Sequence, residues 1–162
     1  MPNASDLPGF SVSHDPAHRS GCPIAIALDL IGDRWSLLLV RDLLFGGPRG
    51  FREFAGAAEG IASNILTDRL ARLQRAGIIE RRRDPADRRR GIYLLTEKGM
   101  DLAPALVDLA VWSARYERTE APRATIHRMR TAREEVLAEL RARWSAQGAA
   151  VSKGDQAAPQ AD

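Results

Sequence analysis

Residues 60–99 read GIASNILTDRLARLQRAGIIERRRDPADRRRGIYLLTEKG, and the periodicity changes twice along them. In the first part Ile65, Leu66, Leu70 and Leu73 recur at helical spacing, which predicts a helix over 62–76 with one apolar stripe. Gly77 follows it and supplies the C-terminal stop. Beyond Gly77 come two short runs with β-branched or aromatic residues, Ile78–Arg83 and Gly91–Thr96. Between them DPADRRR reads as the turn of a hairpin with a basic tip.

The polar residues of the helix fall opposite its stripe. With the leucines inside, Ser63, Asn64, Thr67, Asp68, Ala71 and Arg72 face outward, and Arg69 sits at the boundary of the two faces. Short hydrogen-bonding side chains flanked by cations match what base edges offer in a major groove: donors, acceptors and the thymine methyl. A solvated face of an ordinary helical domain would look similar in isolation. The neighbouring hairpin separates the two readings, because residues 81–90 carry six arginines with only two aspartates among them. Packing gains nothing from that repulsion, whereas a loop tracking phosphates uses it, each neutralised phosphate releasing counterions. Asp84 and Asp87 are too few to neutralise the tip, and Asp87 is expected to orient one arginine by a forked hydrogen bond.

Working upstream, Cys22-Pro23 suits a helix start, since proline's missing N–H is no loss at the first helical position. That helix runs to about Ile31. Gly32 ends it and Asp33 can cap the next, which carries Trp35, Leu38, Leu39, Leu43 and Phe45 toward a core until Gly46, Gly47 and Pro48 break it. A short helix over 51–57 precedes the 62–76 helix. Helices followed by a two-stranded hairpin give a mainly α fold with a small β-hairpin, in the order of a winged helix-turn-helix with additional C-terminal helices. Downstream, Thr96 caps a helix with Leu102, Leu106, Leu109, Trp112 and Tyr116 on one stripe. A final helix over 124–144 places Ile126, Met129, Val136, Leu137, Leu140 and Trp144 on one face, to pack on its own domain or a partner.

Residues 1–20, with Pro2, Pro8 and Pro16, read as a flexible arm, and 148–162 as a disordered tail. The core unit is then 21–118, with a C-terminal helix within 119–147. At 162 residues an apolar core suffices without disulfides or metal, and a single cysteine allows no intramolecular bridge. The net charge is only +3, yet 22 of the 24 cations are arginine, and residues 49–90 hold 11 of them against 6 acids. Arginine's planar fork suits phosphate and guanine. The longest apolar stretch, Trp35–Val40, is far short of a membrane span, and no secretory leader is visible, so a cytoplasmic protein is expected.

Catalytic patterns are absent from the sequence. There is no glycine-rich phosphate loop, no Gly-x-Ser-x-Gly and no paired-histidine metal motif, and Ser36 and Ser63 have no general base at a recognisable spacing. His14, His18 and Cys22 are four apart, but Pro16 and Pro23 oppose the helix that would bring them together, so no metal and no cofactor is expected. Trp35, Trp112, Tyr116 and Trp144 are read as core aromatics, with an effector pocket as the sharper alternative.

CPIAIALDLIGDRWSLLLVRDLLFGGPRGFREF, then GIASNILTDRLARLQRAGIIERR and YLLTEKGMDLAPAL, resemble the HxlR-type winged helix-turn-helix transcriptional regulators over about Gly21 to Tyr116. The MarR family is the near neighbour, to whose wing DPADRRR and LTEKG are similar; the Cys-Pro opening and the Trp35 segment favour HxlR. The resemblance implies a dimeric regulator binding duplex DNA, with Ala62–Ala76 as recognition helix and the hairpin as wing. Ser63, Asn64, Thr67 and Arg72 are then expected on bases or nearby backbone, Arg69 on phosphate, and Arg88, Arg89 and Arg90 as wing contacts. Ala62 stands where the family often has a capping serine, and Ser63 is its candidate substitute. Cys22 is the candidate redox sensor, against the plainer role of a small residue packing the helix start. Homodimerisation through the first helix and the helices after Thr96 would place two recognition helices on an inverted repeat, as a repressor. A small-molecule or redox effector is a further expected partner. The rival from another class is a winged-helix module docking an acidic protein surface. RNA binding is disfavoured because Phe54 is the only aromatic between Arg52 and Arg90.

Overall fold

The computed structural model describes residues 21–57 and 59–156, so the expected arm, with His14 and His18, lies outside the described residues. Helix α1, Pro23–Ile31, starts at Cys22 with proline in its first turn, and none of its side chains is buried within the subunit. Helix α2, Ser36–Gly46, buries Ser36, Leu39, Val40, Leu43 and Leu44. Its expected inward set was partly misassigned: Phe45 is exposed, because the helix turns its Leu39–Leu43 edge to the core. Asp33 organises the entry, its Oδ1 accepting the amides of Trp35 at 2.9 Å and Ser36 at 3.1 Å.

Strand β1, Arg49–Gly50, leads into α3, Phe51–Ala55, and then α4, Ser63–Arg75. Ala62 is the N-cap of α4 and makes no side-chain cap, and Ser63 does not substitute for one. Leu66, Leu70 and Leu73 of α4 are buried with Phe54 in the core. At its other end Gly77 takes φ +67°, its amide bonded to the Gln74 carbonyl at 2.9 Å and that of Ile78 to Leu73 at 3.0 Å. That is a Schellman closure, which needs the left-handed residue glycine supplies.

Strands β2, Ile79–Arg83, and β3, Gly91–Leu95, pair antiparallel with Ile79 opposite Leu95 and Arg83 opposite Gly91. The expected two-stranded hairpin is in fact a three-stranded sheet in the order β1-β3-β2, Arg49 lying opposite Tyr93. A two-residue strand has no period to read, which is why the sequence did not show it.

The LTEKG segment folds back on the end of α4. Thr96 caps α5, Glu97–Met100, accepting the Gly99 amide, and donates its hydroxyl to the Gly77 carbonyl at 2.6 Å. Lys98 Nζ reaches the Ala76 carbonyl at 2.8 Å, a cation at a helix C-terminus. Gly99 lies against the Ile78 carbonyl, where a Cβ would collide. One motif thus fixes where α4 stops.

The single helix expected after Thr96 is two helices, α5 and α6, Ala103–Tyr116. Pro104 in the first turn of α6 lacks the N–H that would have continued α5. Its expected inward stripe is also reversed in part. Ala103 and Val107 are buried, while Leu109, Trp112 and Tyr116 are 47%, 62% and 62% exposed. The last helix likewise divides, into α7, Arg123–Thr131, and α8, Arg133–Gln156, at Ala132 with φ −129° and ψ 42°. Arg133 redirects the chain, its guanidinium forked on Asp108 of α6 at 2.8 and 2.9 Å. Helix α8 also continues through Gly148, where an unstructured tail was expected. Val151, beyond that glycine, is buried, which offsets the roughly 1 kcal/mol that a mid-helix glycine costs.

Helices α7 and α8 pack on their own subunit. Met129, Val136 and Leu140 join the core, Trp144 Nε1 donates to the Leu95 carbonyl at 2.8 Å, and Arg143 donates to Leu44 at 2.8 Å. The C-terminal pair therefore braces the end of β3 against the end of α2.

Candidate nucleic-acid interface

The outward face of α4 presents Ser63, Asn64, Thr67 and Asp68, all exposed, on a helix whose opposite face is sealed in the core. Thr67 donates its hydroxyl to the Ser63 carbonyl at 2.9 Å, leaving its oxygen lone pairs and methyl outward. Gln74 and Arg75 extend this face and were missed. Helical spacing from Asn64, Thr67 and Ala71 would have found them.

Two of the expected contact residues hold partners inside the subunit. Arg69 turns inward, with Nε 3.1 Å from Asp33 Oδ1 and Nη1 2.9 Å from Asp68, rather than standing free for phosphate. Its Nε is buried and the angle to Asp33 is poor for a hydrogen bond, so the contact is chiefly charge on charge. Arg72 donates to the Asp29 carbonyl of α1 and is half-buried, instead of facing a base. Both lie, with Ile65, on the flank of α4 that meets α1 and the turn into α2. Periodicity sets Arg69 at this boundary, as found, and sets Arg72 one flank away from the face it occupies. Asp33 accordingly feels opposed influences. Burial raises its pKa, but the Ser36 hydroxyl, the amides of Trp35 and Ser36 and the Arg69 charge outweigh that and hold it below the ordinary 3.8.

The wing tip is arginine on both strands. Arg81, Arg82, Arg83, Arg88, Arg89 and Arg90 are all exposed and, with Glu80, surround an open depression of about 590 Å³. The aspartates build the turn: Asp84 Oδ1 accepts the Ala86 amide at 2.9 Å and Asp87 Oδ1 that of Arg89 at 3.1 Å. Arg90 differs from its neighbours in reaching Glu53 of α3 at 2.9 Å, and the same Glu53 oxygen accepts the Gly50 amide at 2.7 Å. Glu53 thereby ties the wing to the helix preceding α4. Arg82 pairs with Glu80 at 3.0 Å.

Cys22 sits half-buried at the N-cap of α1, its side chain making no cap bond. The four aromatics do not converge. Trp112 and Tyr116 pair with each other at 5.9 Å, Trp35 lies under Arg34, and Trp144 serves the Leu95 carbonyl. Among the described residues no group of three His, Cys, Asp or Glu side chains could hold a metal, and no helix is long and apolar enough to cross a membrane.

The model of the HxlR-like helix-turn-helix family matches residues 30–121, more than half of the chain. The chain belongs to the HxlR-like helix-turn-helix family. It is a transcriptional regulator of the helix-turn-helix class, and this family is one of regulators, not enzymes. The HTH-type transcriptional regulator Rv3095 of Mycobacterium tuberculosis is 39% identical over 110 residues, 67% of this chain and 68% of that one. YodB of Bacillus subtilis is 32% identical over 96 residues, covering 59% and 85%. Among solved structures, the putative transcription factor PA1607 is similar with a TM-score of 0.57 and 38% identity, over 64% of this chain and 71% of that chain. The redox regulator HypR in its oxidised form gives 0.54 and 28%, over 60% and 100%. The HxlR-like match ends at Ala121, so helices α7 and α8 lie beyond it.

Proposed function

We propose that this regulator binds a specific duplex DNA sequence as a homodimer, reading an inverted repeat through α4 and gripping it with the wing at 81–90. The supporting observation is the pairing of a rigid, outward polar face, Ser63, Asn64 and Thr67, with a wing whose six arginines are all exposed. Base edges are read by the first and phosphates held by the second. Arg75 joins the α4 contacts, while Arg69 and Arg72 hold the helix in place.

A second copy of this chain is the fitting cover for the apolar side chains left bare on α1 and α6. Ile24, Leu28, Leu109, Trp112 and Tyr116 are 47–71% exposed, a set that one subunit cannot bury. Such an interface lies within residues 21–118, the unit proposed to bind and dimerise, and two-fold symmetry sets two α4 helices about one DNA turn apart. The proposed outcome is repression by occupying a promoter, with the cytoplasm as the site of action. The known behaviour of two similar proteins extends the reading: YodB has a reduced form, and HypR is a redox regulator with reduced and oxidised forms. Cys22, at the start of a helix facing the proposed dimer seam, is the candidate thiol for such control here, able to bridge to its copy under oxidation.

Selection from a pool of random duplex DNA at two salt concentrations, followed by sequencing, tests the reading. An enriched inverted repeat whose binding falls steeply with salt is expected. Retention without any enriched sequence, or binding only to an acidic protein, contradicts it.

A further inference from the structure

The turn between α6 and α7 gathers cations away from the wing. Arg118, Arg123, His127 and Arg130, with Glu117, border a concavity of about 540 Å³. Neighbouring arginines are satisfied: Arg128 of α7 pairs with Glu139, and Arg133, which opens α8, with Asp108 and Glu134. Arg118 and Arg123 have no hydrogen-bond or ion-pair partner among the described residues, and Arg130 has only the His127 ring at 3.5 Å. Glu117 is the one acid on the rim, so the concavity carries an excess of positive charge. Helix α6 ends and α7 begins here, so their opposite terminal partial charges, about half a unit each, largely offset and leave the field to the side chains.

We infer that this concavity binds a small phosphate-bearing molecule. Its size falls within the range of small-molecule sites, and arginine forks on several sides suit an oxyanion of more than one charge. A free small molecule fits better than a DNA backbone. Helix α6, 14 residues and about 20 Å long, leads from the α5 segment that follows the wing to this turn. The site also adjoins Tyr116 on the bare face of α6, so an anion there would act beside the proposed dimer seam. The binding itself is independent of the DNA-binding proposal, and only its effect at the dimer seam rests on it.

Titration calorimetry with inorganic pyrophosphate tests the inference, comparing the full chain with Arg123→Gln/Arg130→Gln and, as the control for the wing, Arg88→Gln/Arg89→Gln. Loss of two charge-assisted contacts should weaken binding on the order of 100-fold in the first variant, and the wing variant should retain the affinity of the wild type. His127 ring resonances should move on addition of pyrophosphate to the wing variant and stay fixed in the other. All substituted side chains are exposed, and an unchanged thermal midpoint verifies folding. Absence of pyrophosphate binding, or loss of it in the wing variant alone, would overturn the inference. So would a fall in duplex DNA affinity for Arg123→Gln/Arg130→Gln as large as that of the wing variant, since the phosphate would then be the DNA's own.

Discussion

Arg69 of α4 stands 3.1 Å from Asp33, the residue that opens α2, so the proposed recognition helix is locked by charge to the turn that starts its neighbour. Asp33→Asn keeps the shape and removes the charge, and Asp33→Ala removes the capping as well, costing about 1 kcal/mol. The pH dependence has a definite sign. Because the folded-state pKa of Asp33 lies below 3.8, its ionised form stabilises the fold at neutral pH, and that contribution disappears as pH falls through the folded value. Thermal melts from neutral pH to about pH 3 should show the gap between wild type and Asp33→Asn closing on acidification. A gap that widened would contradict this assignment.

The wing arginines should not be equivalent. Arg90 is already neutralised by Glu53 at 2.9 Å, whereas the Arg89 side chain has no partner among the described residues. Arg89→Ala should reduce the slope of log affinity against log salt by about 1, and Arg90→Ala by less. Equal changes would show that the Glu53 contact opens on DNA.

Trp144 carries the brace between α8 and the sheet. Trp144→Ala should destabilise by about 3 kcal/mol, the low end for a tryptophan because the ring is half-buried. Trp144→Phe keeps most of the packing and loses the bond to the Leu95 carbonyl, for about 1 kcal/mol. Denaturant unfolding measures both.

Trp112 and Tyr116 should behave as interface rather than core. Trp112→Glu is expected to yield a folded monomer by sedimentation, with unchanged helix content, since the ring is 62% exposed in one subunit. Loss of fold would place Trp112 in the core instead.

Much of this arrangement was legible in the sequence because it rests on local signals. Cys22-Pro23, Asp33, Gly77 and Thr96 each mark an element boundary that the structure keeps. What escaped depends on long-range choices. Periodicity gives α6 two apolar edges, Ala103–Val107 and Leu109–Trp112–Tyr116, and cannot tell which one the subunit covers. The break at Ala132 has neither glycine nor proline, being set by Arg133 reaching Asp108 across to another helix. The partners of Arg69 and Arg72 escaped for the same reason, since Asp33 and the Asp29 carbonyl are more than 30 residues away in the chain.

The division of labour between α4 and the wing is best tested on the DNA recovered by selection. Affinities of wild type, Asn64→Ala/Thr67→Ala and Arg88→Ala/Arg89→Ala are measured on that duplex and on a scrambled one across a salt series. The α4 variant should lose about 1–3 kcal/mol per base contact on the selected duplex only, keeping its salt slope. The wing variant should weaken on both duplexes and flatten the slope by about 2. Two variants that lose affinity alike on both sequences would contradict the assignment of sequence reading to α4.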